Sequence, residues 1–457
     1  PKLQEIGPFV YRENMEKVNI AFHDNGTVSF QHKKILEFLP ELSVDKNLKI
    51  VVPNIPLLTL TSALNGLSRF AKFPIQLSLR VIYSGMKPFK EVTADELIFG
   101  YDDRLTSLAH AIYPRGKRPP QKMGLLLGRN GTLHEVSTIH TGQNNMENFG
   151  LLDRINGMNH LPYWSSSPCN SINASEGSLF PPRSITHSDL VHVYDKDLCR
   201  VWPLRYRHDL VDNGITVGYY TPDDSVLESG DVDVNNKCFC PLEECPLKGL
   251  QNIRPCHFNA PVFLSFPHFY KASSELLNSV EGLQPDPEKH TSYFKIQPKL
   301  GVTTEAKVRV QLNLQVSHSD IDMVKDFRSF NFPIVWLEEG VSELTPSIQR
   351  WIYLSTTFAD NVVPIFQYGL IIFGVFVLIL VFVQAYKNLV FTKENLELGK
   401  QKLRRGSSFI VNGQHRLLII RDSYTLLHNS REQSDSYSLI DNRTEMAETS
   451  FDPDPVS

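Results

Sequence analysis

The 457-residue chain sets 46 Lys and Arg against 50 Asp and Glu for a net charge of −4, which excludes a general nucleic-acid binder, since that would carry a global basic excess. Gly and Pro, at 25 and 29 residues, stay near ordinary usage and exclude both a collagen-like chain and wholesale disorder. A mean hydropathy of −0.21 would suit a soluble protein of roughly three domains at about 150 residues each, but this average blends very unequal segments.

The chain begins at Pro1 with neither an initiator Met nor a charged-then-apolar leader. A long outer domain needs a signal or an anchor to cross a membrane, so a further segment is expected upstream.

From residue 46 to residue 90 the chain has seven basic residues, Lys46, Lys49, Arg69, Lys72, Arg80, Lys87 and Lys90, and no Asp or Glu. Average usage would put about five acids there. Ala63, Leu64, Leu67, Phe70 and Ala71 fall at helical spacing, interrupted at Pro74, so two helices with a break at that proline are expected. A core helix pair with a few solvated lysines is the plainer reading. The functional one is a cationic, apolar-backed platform that attracts anionic surfaces such as lipid headgroups.

Sequons follow at Asn25, Asn130 and Asn173, the first two strengthened by the turn-forming Asn-Gly. All six cysteines, Cys169, Cys199, Cys238, Cys240, Cys245 and Cys256, lie between residues 169 and 256. Cys238, Cys240, Cys245 and Cys256, followed by His257, invite a zinc reading, but the tight Cys-x-Cys pair lacks the usual structural-zinc spacing. Six cysteines allow about 15 pairings, and spacing alone does not choose among them.

Strands are expected at residues 261–269, 293–296 and 334–337, and most clearly at 306–316. There Ala306, Val308, Val310, Leu312, Leu314 and Val316 alternate with Lys307, Arg309, Gln311, Asn313 and Gln315. That period of two marks a strand with one buried and one wet face.

Residues 362–386 contain no charge, and the 22 residues from 362 to 383 span about 33 Å as a helix, enough to cross a hydrocarbon core of about 30 Å. Lys387, Lys393, Lys400, Lys402, Arg404 and Arg405 follow, whereas upstream the nearest charges are Asp360 and Arg350. The positive-inside rule places the tail in the cytoplasm and residues 1–361 outside or in a lumen. An even number of cysteines confined to that outer side then reads as disulfides, and a sequon at Asn442 in the tail stays bare.

The tail, residues 387–457, begins basic and amphipathic and turns polar, with disorder expected beyond about residue 430. Asp422, Tyr424, Leu426 and Leu427 recur as Asp435, Tyr437, Leu439 and Ile440. Each copy combines Tyr-x-x-apolar with acid-x-x-x-Leu-Leu/Ile and resembles sorting signals read by clathrin adaptors, which bind extended peptides through side-chain pockets. No Gly-x-Ser-x-Gly elbow, His-Glu-x-x-His or phosphate-binding Gly-rich loop occurs. No catalytic residue, metal or cofactor is assigned, and a non-enzyme is expected.

One set of motifs ties these segments together. Glu5-Ile-Gly-Pro-Phe-Val-Tyr-Arg-Glu13 resembles the opening ectodomain motif of the class B scavenger receptors, the family of fatty acid translocase, the high-density-lipoprotein receptor and the lysosomal integral membrane protein. Pro53-Asn-Ile-Pro, Glu96-Leu-Ile-Phe-Gly-Tyr101, Tyr163-Trp-Ser, Phe180-Pro-Pro and Cys238-Phe-Cys-Pro match in order. Ala260-Pro-Val-Phe-Leu-Ser-Phe-Pro-His-Phe269 and Gly282-Leu-Gln-Pro follow. The similarity reaches about residue 383 and fades in the tail.

The resemblance implies an α+β fold. A large antiparallel β-barrel-like ectodomain would carry an apical helical bundle and an internal hydrophobic tunnel, with a C-terminal transmembrane helix. It implies the pairs Cys169–Cys238, Cys199–Cys256 and Cys240–Cys245. It places the acid-free segment in the cap, with Lys87 near the family's ligand-contacting lysine region and Arg69, Lys72 and Arg80 as companions from charge alone. It also implies a receptor for lipoproteins, fatty acids, sterols or anionic phospholipids. Phagocytic adhesion and an endo-lysosomal escort role stand as alternatives. The family has a first membrane span that is absent here, which suggests a fragment, and its usual tail is shorter.

Overall fold

The computed structural model describes residues 2–65, 70, 87–114, 118–183, 188–241, 244–318, 324, 328–342, 344–390, 392–404, 408–411 and 414–417. It divides into two units, Pro1–Asp360 and Asn361–Ser457.

The first unit opens with a long antiparallel hairpin, β1 (Tyr11–His23) and β2 (Thr27–Phe38). Strand β3 (Lys49–Pro53) runs into helix α1 (Ile55–Asn65) and pairs with β4 (Phe89–Thr93), so residues 54–88 form an excursion from a two-stranded base. Helices α2 (Ala94–Phe99) and α3 (Arg104–Ile112) flank β5 (Tyr101–Asp102), which pairs with β6 (Lys122–Met123). Thr93 and Glu96 make a reciprocal capping box on α2, and Asp103 caps α3, which satisfies amide donors that helix starts leave unpaired. Strands β7 (Gly131–His140) and β8 (Leu152–Ile155) complete a four-stranded sheet ordered β1-β2-β7-β8.

An eight-stranded antiparallel sheet takes the rest of the unit. Its members are β9 (Leu190–Asp195), β10 (Arg200–Asp212), β11 (Ile215–Pro222), β12 (Gln251–Asn252), β13 (Val262–Ser265), β14 (Tyr293–Gln297), β15 (Val302–Val316) and β16 (Phe330–Val341). Their order is β12-β13-β15-β14-β11-β10-β9, with β16 on the other edge of β15. Short helices α4 (Ser274–Ser279) and α5 (Pro287–His290) lie between β13 and β14 in the chain, and α6 (Pro346–Tyr353) follows β16.

Strand β15 corrects the expectation of a wet face. Arg309, Gln311 and Asn313 are 7%, 2% and 0% exposed, as buried as Leu314. The reason is that polar partners cover that face. Gln311 donates to Asn313 Oδ1 at 2.9 Å and accepts from the His268 amide at 2.8 Å, while Asn313 donates to Ser265 Oγ at 3.0 Å. Arg309 donates to the carbonyls of Glu288 and Thr291 at 2.9 and 2.8 Å. Buried polar groups are tolerated when hydrogen-bonded. The expected strand at 261–269 also stops early, at Ser265. Pro267 opens a short 3-10 turn, Pro267–Phe269, in which His268 has φ +54.

The candidate membrane helix α7 (Ala359–Val390) is 32 residues long with no buried residue, about 48 Å of helix. It extends past residues 362–386 at both ends. Helix α8 (Lys393–Arg404) is the amphipathic start of the tail.

Asn313→Ala should strand the hydrogen-bond partners of a fully buried amide and destabilise the first unit by about 2–3 kcal/mol. Thermal unfolding of the full chain in detergent, followed by tryptophan fluorescence, would register this as a lowered midpoint.

Candidate functional site

The excursion at residues 54–88 is anchored from below. Asn54 Oδ1 accepts from Leu57 N–H at 3.3 Å and thereby caps α1, while its side-chain amide donates to the Lys87 carbonyl at 3.2 Å and its backbone N–H to the Pro88 carbonyl at 2.8 Å. One residue thus starts the helix and closes the loop. Ile55, Leu57, Leu58 and Leu64 are buried in a cluster with Leu105, Leu314, Val316 and Val324. Phe89 meets Phe332 at 6.2 Å between ring centroids, and Phe332 meets Phe330 at 5.8 Å.

The cations of the segment divide into groups. Lys90 lies 4.1 Å from the Tyr101 ring centroid and 3.7 Å from the buried Asp103 carboxylate. Burial and the Asp103 charge together push the Tyr101 hydroxyl well above its ordinary pKa. Lys49 lies 3.9 Å from Glu91, and Lys46 lies 5.8 Å from the Phe38 ring centroid. Lys87 is exposed. Arg69, Lys72 and Arg80, and the break expected at Pro74, lie outside the described residues. A window free of acids is therefore not free of counter-charge: Glu91 and Asp103 reach into it from beyond its C-terminal edge. The signal available in the sequence was that Glu91 follows Lys90 directly, so that an antiparallel pairing of this edge puts an acid beside the opening lysines.

The cysteines form a second assembly. Cys169 is bonded to Cys238, Cys199 to Cys256 and Cys240 to Cys245, with Cα separations of 5.9, 6.4 and 4.7 Å. Trp164 lies edge-on to Phe239 at 5.0 Å and donates its indole N–H to the Cys199 carbonyl at 2.7 Å. The buried Arg200 guanidinium sits 3.8 Å from the Phe239 ring centroid and donates to Val226 O and Asn236 Oδ1, both at 3.0 Å. Cys199, Cys256 and His257 come together in space, but both sulfurs belong to one disulfide and offer no thiolate to zinc. The His257 Nε2–H donates to the Asp197 carbonyl at 3.2 Å.

The sequon residues Asn25, Asn130 and Asn173 are all exposed. Asn25 Oδ1 accepts from both the amide and the hydroxyl of Thr27, at 3.2 and 2.7 Å. The tail residues Asp422, Tyr424, Leu426, Leu427, Asp435, Tyr437, Leu439 and Ile440 lie outside the described residues. An open pocket of about 130 Å³ lined by Leu151, Phe180, Pro181, Arg183 and His192 is smaller than a typical ligand site of about 300–1,000 Å³.

Residues 1–385 match the model of the CD36 family. The chain belongs to the CD36 family. It is 34% identical over 342 residues to mouse scavenger receptor class B member 1, covering 74% of this chain and 66% of the mouse protein. It is 32% identical over 382 residues to the bovine protein of that name, covering 83% of this chain and 74% of the relative. Human lysosome membrane protein 2 is 32% identical over 348 residues, covering 75% of this chain and 70% of that protein. The chain thus spans about two thirds of the length of the mouse receptor. It is a scavenger-receptor-family membrane protein with one candidate transmembrane helix among the described residues and a disulfide-bonded first unit.

Cys169 and Cys238 are 69 residues apart, so replacing both with Ser should remove about 4 kcal/mol of denatured-state constraint. The same detergent-solubilised chain should then unfold at lower temperature. An unchanged midpoint would show that this closure contributes nothing.

Proposed function

We propose that the chain is a class B scavenger receptor that binds lipoproteins or other anionic lipid ligands through the 46–90 segment and passes lipid inward. The supporting observation is a cationic, apolar segment mounted on an Asn54-closed, β3/β4 base in a member of the CD36 family. Arg69, Lys72, Arg80 and Lys87 are the proposed ligand contacts. Anionic surface is captured by charge and apolar cargo by burial, so the reading requires no covalent step. Transfer would use a hydrophobic tunnel through a barrel-like core beneath an apical helical bundle. Fatty acids, sterols and anionic phospholipids are the proposed cargo.

In this reading residues 1–361 face outside or a lumen, with glycans at Asn25, Asn130 and Asn173. Residues 362–386 cross the membrane and 387–457 are cytoplasmic. The doubled tail motif would engage clathrin adaptors and cycle the protein between plasma membrane and endo-lysosomes. Similarity to human lysosome membrane protein 2 favours a second reading, residence in endo-lysosomal membranes as an escort for a lumenal partner.

Reversing all four cations to Glu should lower cellular uptake of labelled sterol from anionic particles by about tenfold or more, since each basic group near an anionic surface contributes about 1 kcal/mol. Unchanged uptake by a variant that reaches the surface would remove the platform from the account. Replacing Leu426, Leu427, Leu439 and Ile440 with Ala should shift a tagged protein toward the cell surface. An unaltered distribution by microscopy would count against the sorting motif.

A further inference from the structure

Two histidines lie buried face to face beside the polar side of β15. His268, in the turn after β13, and His290, at the end of α5, are 7% and 3% exposed. Their rings stack at 4.4 Å with 22° between planes. Each ring uses Nδ1 as an acceptor: Gln284 N–H donates to His268 and Asp286 N–H donates to His290, both at 2.9 Å. A ring nitrogen that accepts carries no proton, so both imidazoles are neutral with their hydrogen on Nε2.

The pair also fastens the opening of the chain. His268 Nε2 lies 3.4 Å from Glu5 Oε2, and the other oxygen of Glu5 accepts from the Trp336 indole N–H of β16 at 2.6 Å. Trp336 stands edge-on to His290 at 5.9 Å, and Leu3 N–H donates to the Glu281 carbonyl at 2.9 Å. Residues 2–5, the 281–290 segment and β16 therefore meet at the stack. The charged groups facing it are Glu5 from the chain's opening, Asp286 capping α5 and Arg309 on β15. Arg309 is in turn held by Glu338 of β16 at 2.7 Å.

We propose that the His268–His290 stack is an acid-operated latch, which holds residues 281–290 against the eight-stranded sheet when neutral and releases them when protonated, while Glu5 stays beside His268 as its counter-charge. A proton on either Nδ1 turns an acceptor into a donor aimed at the N–H of Gln284 or Asp286, which breaks that bond. A second proton would set two cations 4.4 Å apart, where like charges repel strongly in a partly buried site. Burial, and then the charge of His268, lower the pKa of His290. The unfolded chain therefore takes up the proton more readily than the folded one. Stabilisation by neutral His290 is full above the ordinary histidine value of about 6.5 and is lost as pH falls below it. That window separates neutral surroundings from an acidified lumen.

The test is hydrogen exchange by mass spectrometry on the full chain in nanodiscs at pH 7.4 and 5.0, corrected for intrinsic exchange. Amides of residues 282–290 should lose about tenfold or more of their protection at the lower pH, while those of β15 keep theirs. In the H268N/H290N variant, the Asn oxygen can still accept but does not titrate, and Asn tolerates the positive φ at position 268. This variant should show no such loss. Should it fail to fold, H290N alone should still remove the pH response at Asp286. Equal wild-type protection at both pH values, or an undiminished response in an Asn variant, would overturn the latch. Because the readout measures neither lipid-particle binding nor transfer, failure of the cationic platform leaves this result intact.

Discussion

The eight-stranded sheet is organised around one strand that is covered on both faces. Strand β15 pairs with β13 and β14 along one edge and with β16 along the other. Leu314 and Val316 join the cluster beneath α1, Ala306 and Val308 join a second around Tyr220, and Val310 and Leu312 reach a third around Trp202 and Phe266. On the polar face, Arg309, Gln311 and Asn313 spend their hydrogen bonds on β13, α5 and the turn carrying His268. Such a spine tolerates little slippage, because a shift of one residue would exchange the two faces and leave buried amides without partners.

Charge also gathers at one junction between the sheets. Lys34 of β2 bridges Glu13 of β1 and Glu339 of β16, and Arg129 joins Glu339 to Asp197. Burial alone would raise the Glu339 pKa, but the charges and hydrogen bonds of Lys34 and Arg129 hold it below the usual carboxylate value. This network ties the four-stranded sheet to the eight-stranded one. Its geometry matters more than its energy, since Glu339 is half exposed and solvent-exposed ion pairs contribute little net stability. Two disulfides join a segment before β9 and the β9–β10 turn to segments that follow β11, and the third lies within those later segments. The 54–88 excursion, by contrast, is held by Asn54 and an apolar floor at its base.

The proposed capture of lipid surfaces needs a folded frame and an exposed cationic contact. Here the frame is a spine, a charged junction and three covalent closures. The proposed contact is a segment whose described cations range from paired, as Lys90 is, to exposed, as Lys87 is. The division of labour is physical: binding an anionic surface by charge asks for positive potential, not for an exact arrangement of donors.

Part of this was legible in the chain itself. The charge-free run in α7 announces a membrane helix because no polar face interrupts it, and the alternation in β15 announces a strand because its period is two. The motif blocks from Glu5 to Pro285 carry the family. What the sequence could not fix was which groups meet. Alternation shows that Gln311 and Asn313 share a face, but only packing shows that this face is covered. An acid-free window shows an excess of Lys and Arg, but only the β3/β4 base brings Glu91 and Asp103 to it. Six cysteines permit many pairings until strands from distant parts of the chain bring particular sulfurs within bonding distance. The stack of His268 on His290 leaves no local trace at all. Periodicity and composition are properties of neighbours along the chain, whereas burial and pairing depend on residues that only tertiary structure makes neighbours.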